Sequence, residues 1–161
     1  MNSARPTTSK RQYGWRQLVV FDASCSLCRR SVAFLLRHET SPQTLFARLQ
    51  SPLAERLGTY FSVDPHQLES VWLIREGRLY MRSEAMLRIS EGLHSPWSNV
   101  SHLRYLPMPL RDGVYRIIGR YRRQWVPPYE LGSKGHDRMR EMLTVEESRL
   151  LGLPQDIADA P

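Results

Sequence analysis

Cys25 and Cys28 stand three residues apart, where a short apolar run gives way to a stretch free of glycine and proline. No other feature of the 161-residue chain constrains its fold as much. Leu18, Val19, Val20 and Phe21 form a β-rich run closed by Asp22, the pattern of a buried strand. Residues 25–38 carry Cys28, Val32, Leu35 and Leu36 at helical spacing, with Leu27 and Phe34 widening the stripe. The spacing predicts a strand feeding a helix, with Asp22 or Ser24 as its cap and Ser41 and Pro42 beyond its end.

Residues three apart on a helix share a face, so the two sulfurs can approach bonding distance with little backbone movement. Cys25, at or just before the first turn, meets unpaired backbone N–H groups and the positive end of the helix dipole, which favour thiolate. Arg29 and Arg30 add positive charge one turn on. Cys25 is the candidate nucleophile and Cys28 the candidate resolving thiol. Asp22 opposes this, because a charged carboxylate nearby raises a thiol pKa. Capping without chemistry and proton transfer to or from Cys28 both stay open for it.

Two cysteines exclude a disulfide scaffold, and a chain of this length buries roughly two thirds of its unfolded surface without one. No apolar stretch of signal-peptide length follows the N-terminal charges, so a cytoplasmic, reducing setting is expected, in which a structural disulfide does not persist. Zinc would need two further ligands at matching spacing. There is no third cysteine, and His38, His66, His94, His102 and His136 show no paired pattern, so no metal is expected. The bland alternative is two cysteines buried as small apolar residues. The longest apolar runs, such as residues 32–36, fall far short of the ~20 residues of a membrane helix.

Further along, residues 44–49 alternate as a strand, and Ser51 and Pro52 start a helix expected to close at Gly58. Val71, Trp72, Leu73 and Ile74 read as a third strand, joined through Glu76 and Gly77 to a fourth at residues 78–81. A helix begins at Ser83 and ends near Gly92. Strands joined through helices are expected to run parallel and the last two to pair antiparallel, giving an α/β fold of thioredoxin-like order: a mixed four-stranded sheet flanked by helices. Two additional helices follow, at residues 98–106 and 110–125. Residues 1–14 read as a flexible arm, 15–125 as the domain and 126–161 as a loosely ordered tail. Trp72 and Trp97 are assigned to the core.

The formal charge is +7, and Lys10 and Lys134 are the only lysines among 23 basic residues. Most arginines are scattered, but Arg104, Arg111, Arg116, Arg120, Arg122 and Arg123 face Asp112 alone in residues 104–123. Val114, Ile117, Ile118 and Tyr121 form an apolar stripe on the same helix, expected to pack on the core. The competing function is thus a non-catalytic interaction module whose arginine-rich helix docks on an anionic partner or a membrane surface. Nucleic acid is disfavoured, because no aromatic and basic platform is present.

Residues 19–38, which contain Asp22, Cys25 and Cys28, resemble the opening of the DCC family of thiol-disulfide oxidoreductases, named for an Asp-x-x-Cys-x-x-Cys motif. Residues 46–51, 70–74, 80–85, 96–97 and 106–115 resemble further family blocks in the same order, so the likeness covers about residues 18–125. It implies a thioredoxin-like fold and dithiol-disulfide exchange without a cofactor. The partners implied are a disulfide-containing protein or a low-molecular-weight thiol, with an unidentified electron donor. Asp22, Cys25 and Cys28 fall on the three motif positions. Arg29, Arg82 and Ser83 are candidate substrate-binding residues, and Ser83 is equally a candidate N-cap. The chain departs from the family in having Ala23 where glycine is usual, and in lacking a cysteine after the last helix. It also lacks the proline of thioredoxins before the strand facing the cysteines, where Glu69 and Ser70 stand here.

Overall fold

The computed structural model describes residues 14–65, 71–125, 130–131 and 135–158. The expected N-terminal arm and the Glu69–Ser70 step therefore lie outside the described residues, except for Gly14. Strands β1 (Gln17–Phe21), β2 (Thr44–Arg48), β3 (Trp72–Arg75), β4 (Arg78–Met81) and β5 (Met139–Arg140) form one sheet in the order β4-β3-β1-β2-β5. Helices α1 (Ser26–His38), α2 (Pro52–Phe61), α3 (Arg82–Ser90), α4 (Met108–Trp125) and α5 (Val145–Leu150) surround it, with a 3-10 helix at Trp97–Tyr105. The thioredoxin-like order of the first four strands stands, and a fifth strand of two residues is added beside β2.

β1 and β2 run parallel, with Val19 opposite Phe46, but β1 and β3 run antiparallel, with Val19 opposite Leu73. The expectation that every helix-joined strand runs parallel thus fails at β3. Ten residues separate Phe61 from Trp72, enough at ~3.3 Å each to recross a five-residue strand and enter from the opposite end. β3 and β4 form the expected hairpin. Glu76 (φ 53°) and Gly77 (φ 69°) are both left-handed, the geometry of a two-residue turn that matches strand twist.

All five residues of β1 are buried, because its two faces meet two different helix layers. Val19 and Phe21 pack with Cys28, Val32 and Leu35 of α1 and with Ala85 and Ile89 of α3. Leu18 and Val20 pack with Leu53, Ala54 and Leu57 of α2 and with Leu143, Leu151, Leu153 and Ile157 near the C-terminus. Residues 135–158 therefore complete one face of the core, where a loosely ordered tail was expected. The pairing of β5 with β2, the Arg138–Glu39 ion pair at 2.6 Å and the hydrogen bond from the Gly77 N–H to the Leu151 carbonyl oxygen at 2.7 Å attach them to the domain. Within the segment, the Thr144 hydroxyl and Glu147 carboxylate form a capping box on α5, and Arg140 reaches Glu147 at 2.7 Å.

Several helix ends differ from expectation. α1 is capped by the backbone of Cys25 with no side-chain hydrogen bond, because Asp22 and Ser24 bond to each other instead. α2 passes through Gly58 and ends at left-handed Ser62. A Cβ on Gly58 would lie 2.6 Å from the Val63 carbonyl oxygen, so this glycine permits a close chain return. α3 has Met81 as its N-cap in place of Ser83, and Glu91 rather than Gly92 closes it.

Candidate active site

The site grows from the end of β1. After Phe21, Asp22 Oδ1 accepts hydrogen bonds from the Ser24 N–H (2.9 Å), the Ser24 hydroxyl (2.6 Å) and Gln50 Nε2 (2.9 Å). The Asp22 carbonyl oxygen accepts from the Cys25 N–H at 3.2 Å. A short Asp turn therefore launches α1, and Gln50, just past β2, braces it from the neighbouring strand. Gln50 lies in one of the blocks resembling the family, but its long-range contact has no signature in sequence periodicity.

Cys25 sits at the N-cap with extended backbone, and Cys28 lies three residues on in the first turn. Both are thiols, each 6% exposed, and both belong to the apolar cluster beneath α1. Of the flanking arginines, Arg29 donates to Ser26 Oγ at 3.4 Å while its Nε is buried without a partner. Arg30 lines a cavity beside Cys28. Among the described residues, no three His, Cys, Asp or Glu side chains converge as a metal site.

Two apolar cavities, of about 370 and 520 Å³, adjoin the site and share Cys28, Ser31, Val71 and Met86. Cys25 lines neither. The smaller is walled by α1, α3 and Trp97, and the larger extends between α3 and α4. Ser83 is buried, lines the larger cavity with Cys28 and donates its hydroxyl to Asp112 Oδ1. Arg82 is exposed and lines neither cavity, but its φ of 56° makes it a left-handed non-glycine residue at the β4–α3 junction. The structure thus brings Ser83 to the thiol side, while Arg29 and Arg82 stand outside the cavity walls.

α4 is held over this region by polar contacts at one edge. Arg111 pairs with Glu84 at 3.2 Å, Asp112 accepts from Ser83, and the Tyr115 hydroxyl accepts from the Val71 N–H at 3.4 Å. Apart from Ser83, none of these residues carries a site role in the sequence reading. Val71 stands at the entry to β3, and Asp112 had been read only as the lone acid among arginines.

The sequence profile of the DCC1-like thiol-disulfide oxidoreductase family matches residues 19–127. The chain belongs to this family. It is 28% identical over 109 residues to the uncharacterized protein YuxK of Bacillus subtilis (strain 168), covering 68% of this chain and 80% of that protein. It is 30% identical over 108 residues to the DCC family protein At1g52590, chloroplastic, of Arabidopsis thaliana, covering 66% of this chain and 63% of the plant protein. No solved structure matches significantly. The DCC1-like match ends before β5 and α5, although both pack on the domain it covers. No described helix is long and apolar enough to cross a membrane.

Proposed function

We propose that the chain reduces or exchanges disulfides through the Cys25–Cys28 pair, with Cys25 attacking and Cys28 resolving. The observation that carries this reading is the placement of two thiols at the N-cap and first turn of α1, where the first-turn N–H groups lack helical acceptors. The Cys25 thiolate attacks one sulfur of a substrate disulfide, forming a mixed disulfide and releasing the other half as a thiolate that takes up a proton. The Cys28 thiolate then attacks the Cys25 sulfur, releasing the second half and leaving a Cys25–Cys28 disulfide. The substrate has gained two electrons and two protons, which an external thiol or dithiol donor must restore. Asp22 positions the turn through its three hydrogen bonds. Ser83 shapes the substrate side, and Arg29 and Arg82 supply charge outside it.

The substrate is a protein disulfide or a low-molecular-weight disulfide. We place the reaction in the cytoplasm, where a reducing poise returns the pair to dithiol. The chloroplastic label of the plant relative belongs to that protein.

The test is differential alkylation with mass spectrometry across a glutathione series. A reversible intramolecular disulfide is expected, with a trapped mixed disulfide on Cys25 in Cys28→Ser and loss of turnover in Cys25→Ser. A pair that remained dithiol at every accessible potential would overturn the proposal.

A further inference from the structure

The stripe of α4 that was expected to meet the core faces solvent instead. Val114 is 53% exposed and Ile117 58%, and the surface continues through Met108 (59%) to Tyr105 (78%) in the preceding 3-10 helix. Monomeric proteins rarely leave so many large apolar side chains together without a partner. The same stripe walls the larger cavity, since Leu110, Val114 and Ile118 line it together with Cys28. Among the described residues no element covers this face.

Charge identifies what does. At about 100° per residue, position 120 falls roughly 60° and position 116 roughly 100° to the same side of Ile117. Arginines thus border the apolar stripe along one edge, where Arg116 and Arg120 are both exposed. The acids nearby are already engaged: Asp112 accepts from Ser83, Glu84 pairs with Arg88 and Arg111, and Glu91 pairs with Arg75 and Arg104. A second copy on this face would bring further exposed arginines and, from these elements, no unengaged acid to meet Arg116 and Arg120. Residues 1–12 are no better suited, since they carry Arg5, Lys10 and Arg11 and no acid. A nucleic acid would satisfy the arginines but leave the apolar stripe against phosphates.

We propose that α4 and the 3-10 helix before it seat the protein on an anionic lipid bilayer, with the apolar stripe in the interface and the arginines among the headgroups. A helix with a basic border and an apolar face lies in this plane, its apolar side chains sunk ~5–10 Å. The cavity that reaches Cys28 then opens toward the lipid. To the extent that this rests on the thiol chemistry proposed above, the substrate disulfide arrives from the membrane side.

Co-sedimentation with vesicles tests the docking directly, comparing phosphatidylcholine alone with a mixture containing about one third phosphatidylglycerol, at low salt and near ~0.5 M salt. Binding is expected only to the anionic vesicles and is weakened by salt. It is expected to be abolished in Ile117→Glu/Ile118→Glu and to fall about fivefold in Arg120→Ala and again in Arg116→Ala/Arg120→Ala. All three sets of changes are at exposed positions, and the arginine variants keep the test intact if the glutamate variant misfolds. Cys25→Ser/Cys28→Ser is expected to bind as the parent does, so the docking stands or falls separately from the redox reading. Absence of binding to anionic vesicles at low salt would overturn the proposal, as would full binding by the glutamate variant. A dimer in solution that dissociates in that variant would assign the face to a second copy, and salt-sensitive oligonucleotide binding that survives the variant would assign the arginines to nucleic acid. Either result would also overturn the proposal.

Discussion

Gly152→Ala is expected to cost about 2–4 kcal/mol of stability, although the residue lies beyond the family match and far from the thiols in sequence. Gly152 has φ +73°, a region where a Cβ costs roughly 1–2 kcal/mol. The added Cβ would stand 2.7 Å from the Gly77 nitrogen and 3.0 Å from the Glu76 carbonyl carbon, both backbone atoms that cannot rotate away. Overpacking of this kind costs roughly 1–3 kcal/mol more. It also pushes on the hydrogen bond from the Gly77 N–H to the Leu151 carbonyl oxygen at 2.7 Å. A stiffer unfolded chain returns only ~0.4–1 kcal/mol. With a urea m value of ~1–3 kcal/mol/M, the midpoint followed by tryptophan fluorescence should fall by about 1 M or more. Gly113→Ala is the reference: nothing lies within 4 Å of its Cβ, and in the interior of α4 it should stabilise by ~0.5–1 kcal/mol. A Gly152→Ala loss below ~1 kcal/mol would refute the packing of the C-terminal turn on the β3–β4 hairpin, since the left-handed φ less the unfolded-chain return accounts for about that much without any clash.

The remaining expectations concern the walls of the site. Asp22→Ala removes the acceptor of three hydrogen bonds and is expected to lose about 1–3 kcal/mol, whereas Asp22→Asn keeps an equivalent oxygen and should stay within ~0.5 kcal/mol of the parent in urea unfolding. If the positioning role is right, Asp22→Asn also keeps its rate of disulfide exchange, and a fall in that rate without a loss of stability would give Asp22 a proton to carry. Ser83→Ala takes the hydroxyl away from the Asp112 carboxylate and is expected to cost about 1–3 kcal/mol, with faster amide exchange in the first turns of α4. Unchanged exchange there would show that the bond does not hold the helix.

Which parts of this architecture could be read from sequence follows from which signals are local. The strand before Asp22, the α1 stripe of Cys28, Val32 and Leu35, and the Glu76–Gly77 turn each announce themselves within a dozen residues, and the family-like order of elements follows from them. The C-terminal contribution does not. Leu143, Leu151, Leu153 and Ile157 are buried, yet glycine and proline between them break any period, and their partners on β1 and α2 are about a hundred residues away. The Arg138–Glu39 pair is equally silent, being two ordinary surface residue types until the fold buries them. α4 shows the opposite limit. Its periodicity correctly reports an apolar face, but periodicity cannot say whether another element covers that face, and here none of the described elements does. At the thiols, the motif residues were legible and the brace was not, since Gln50 joins Asp22 only because β2 lies beside β1.

The two thiols are equally buried but are closed off by different means, and this separates their chemistry. In-line attack on a disulfide needs room for the leaving sulfur opposite the attacking one, which a thiol 6% exposed does not have without some local movement. On the Cys25 side the flanking segment is the turn at residues 22–24, held by hydrogen bonds to one carboxylate oxygen. On the Cys28 side room already exists in the two cavities, and its outer wall is α4, fixed through Ser83–Asp112, Arg111–Glu84 and Tyr115–Val71. We expect opening to be local on both sides and independent between them. Asp22→Ala should speed alkylation of Cys25 by a bulky maleimide while leaving Cys28 near its parent rate. Ser83→Ala should do the reverse, most clearly with an apolar reagent that partitions into the groove. If each variant accelerated both thiols equally, the pair would be gated by one common motion, and the division into a polar entrance at Cys25 and an apolar one at Cys28 would be wrong.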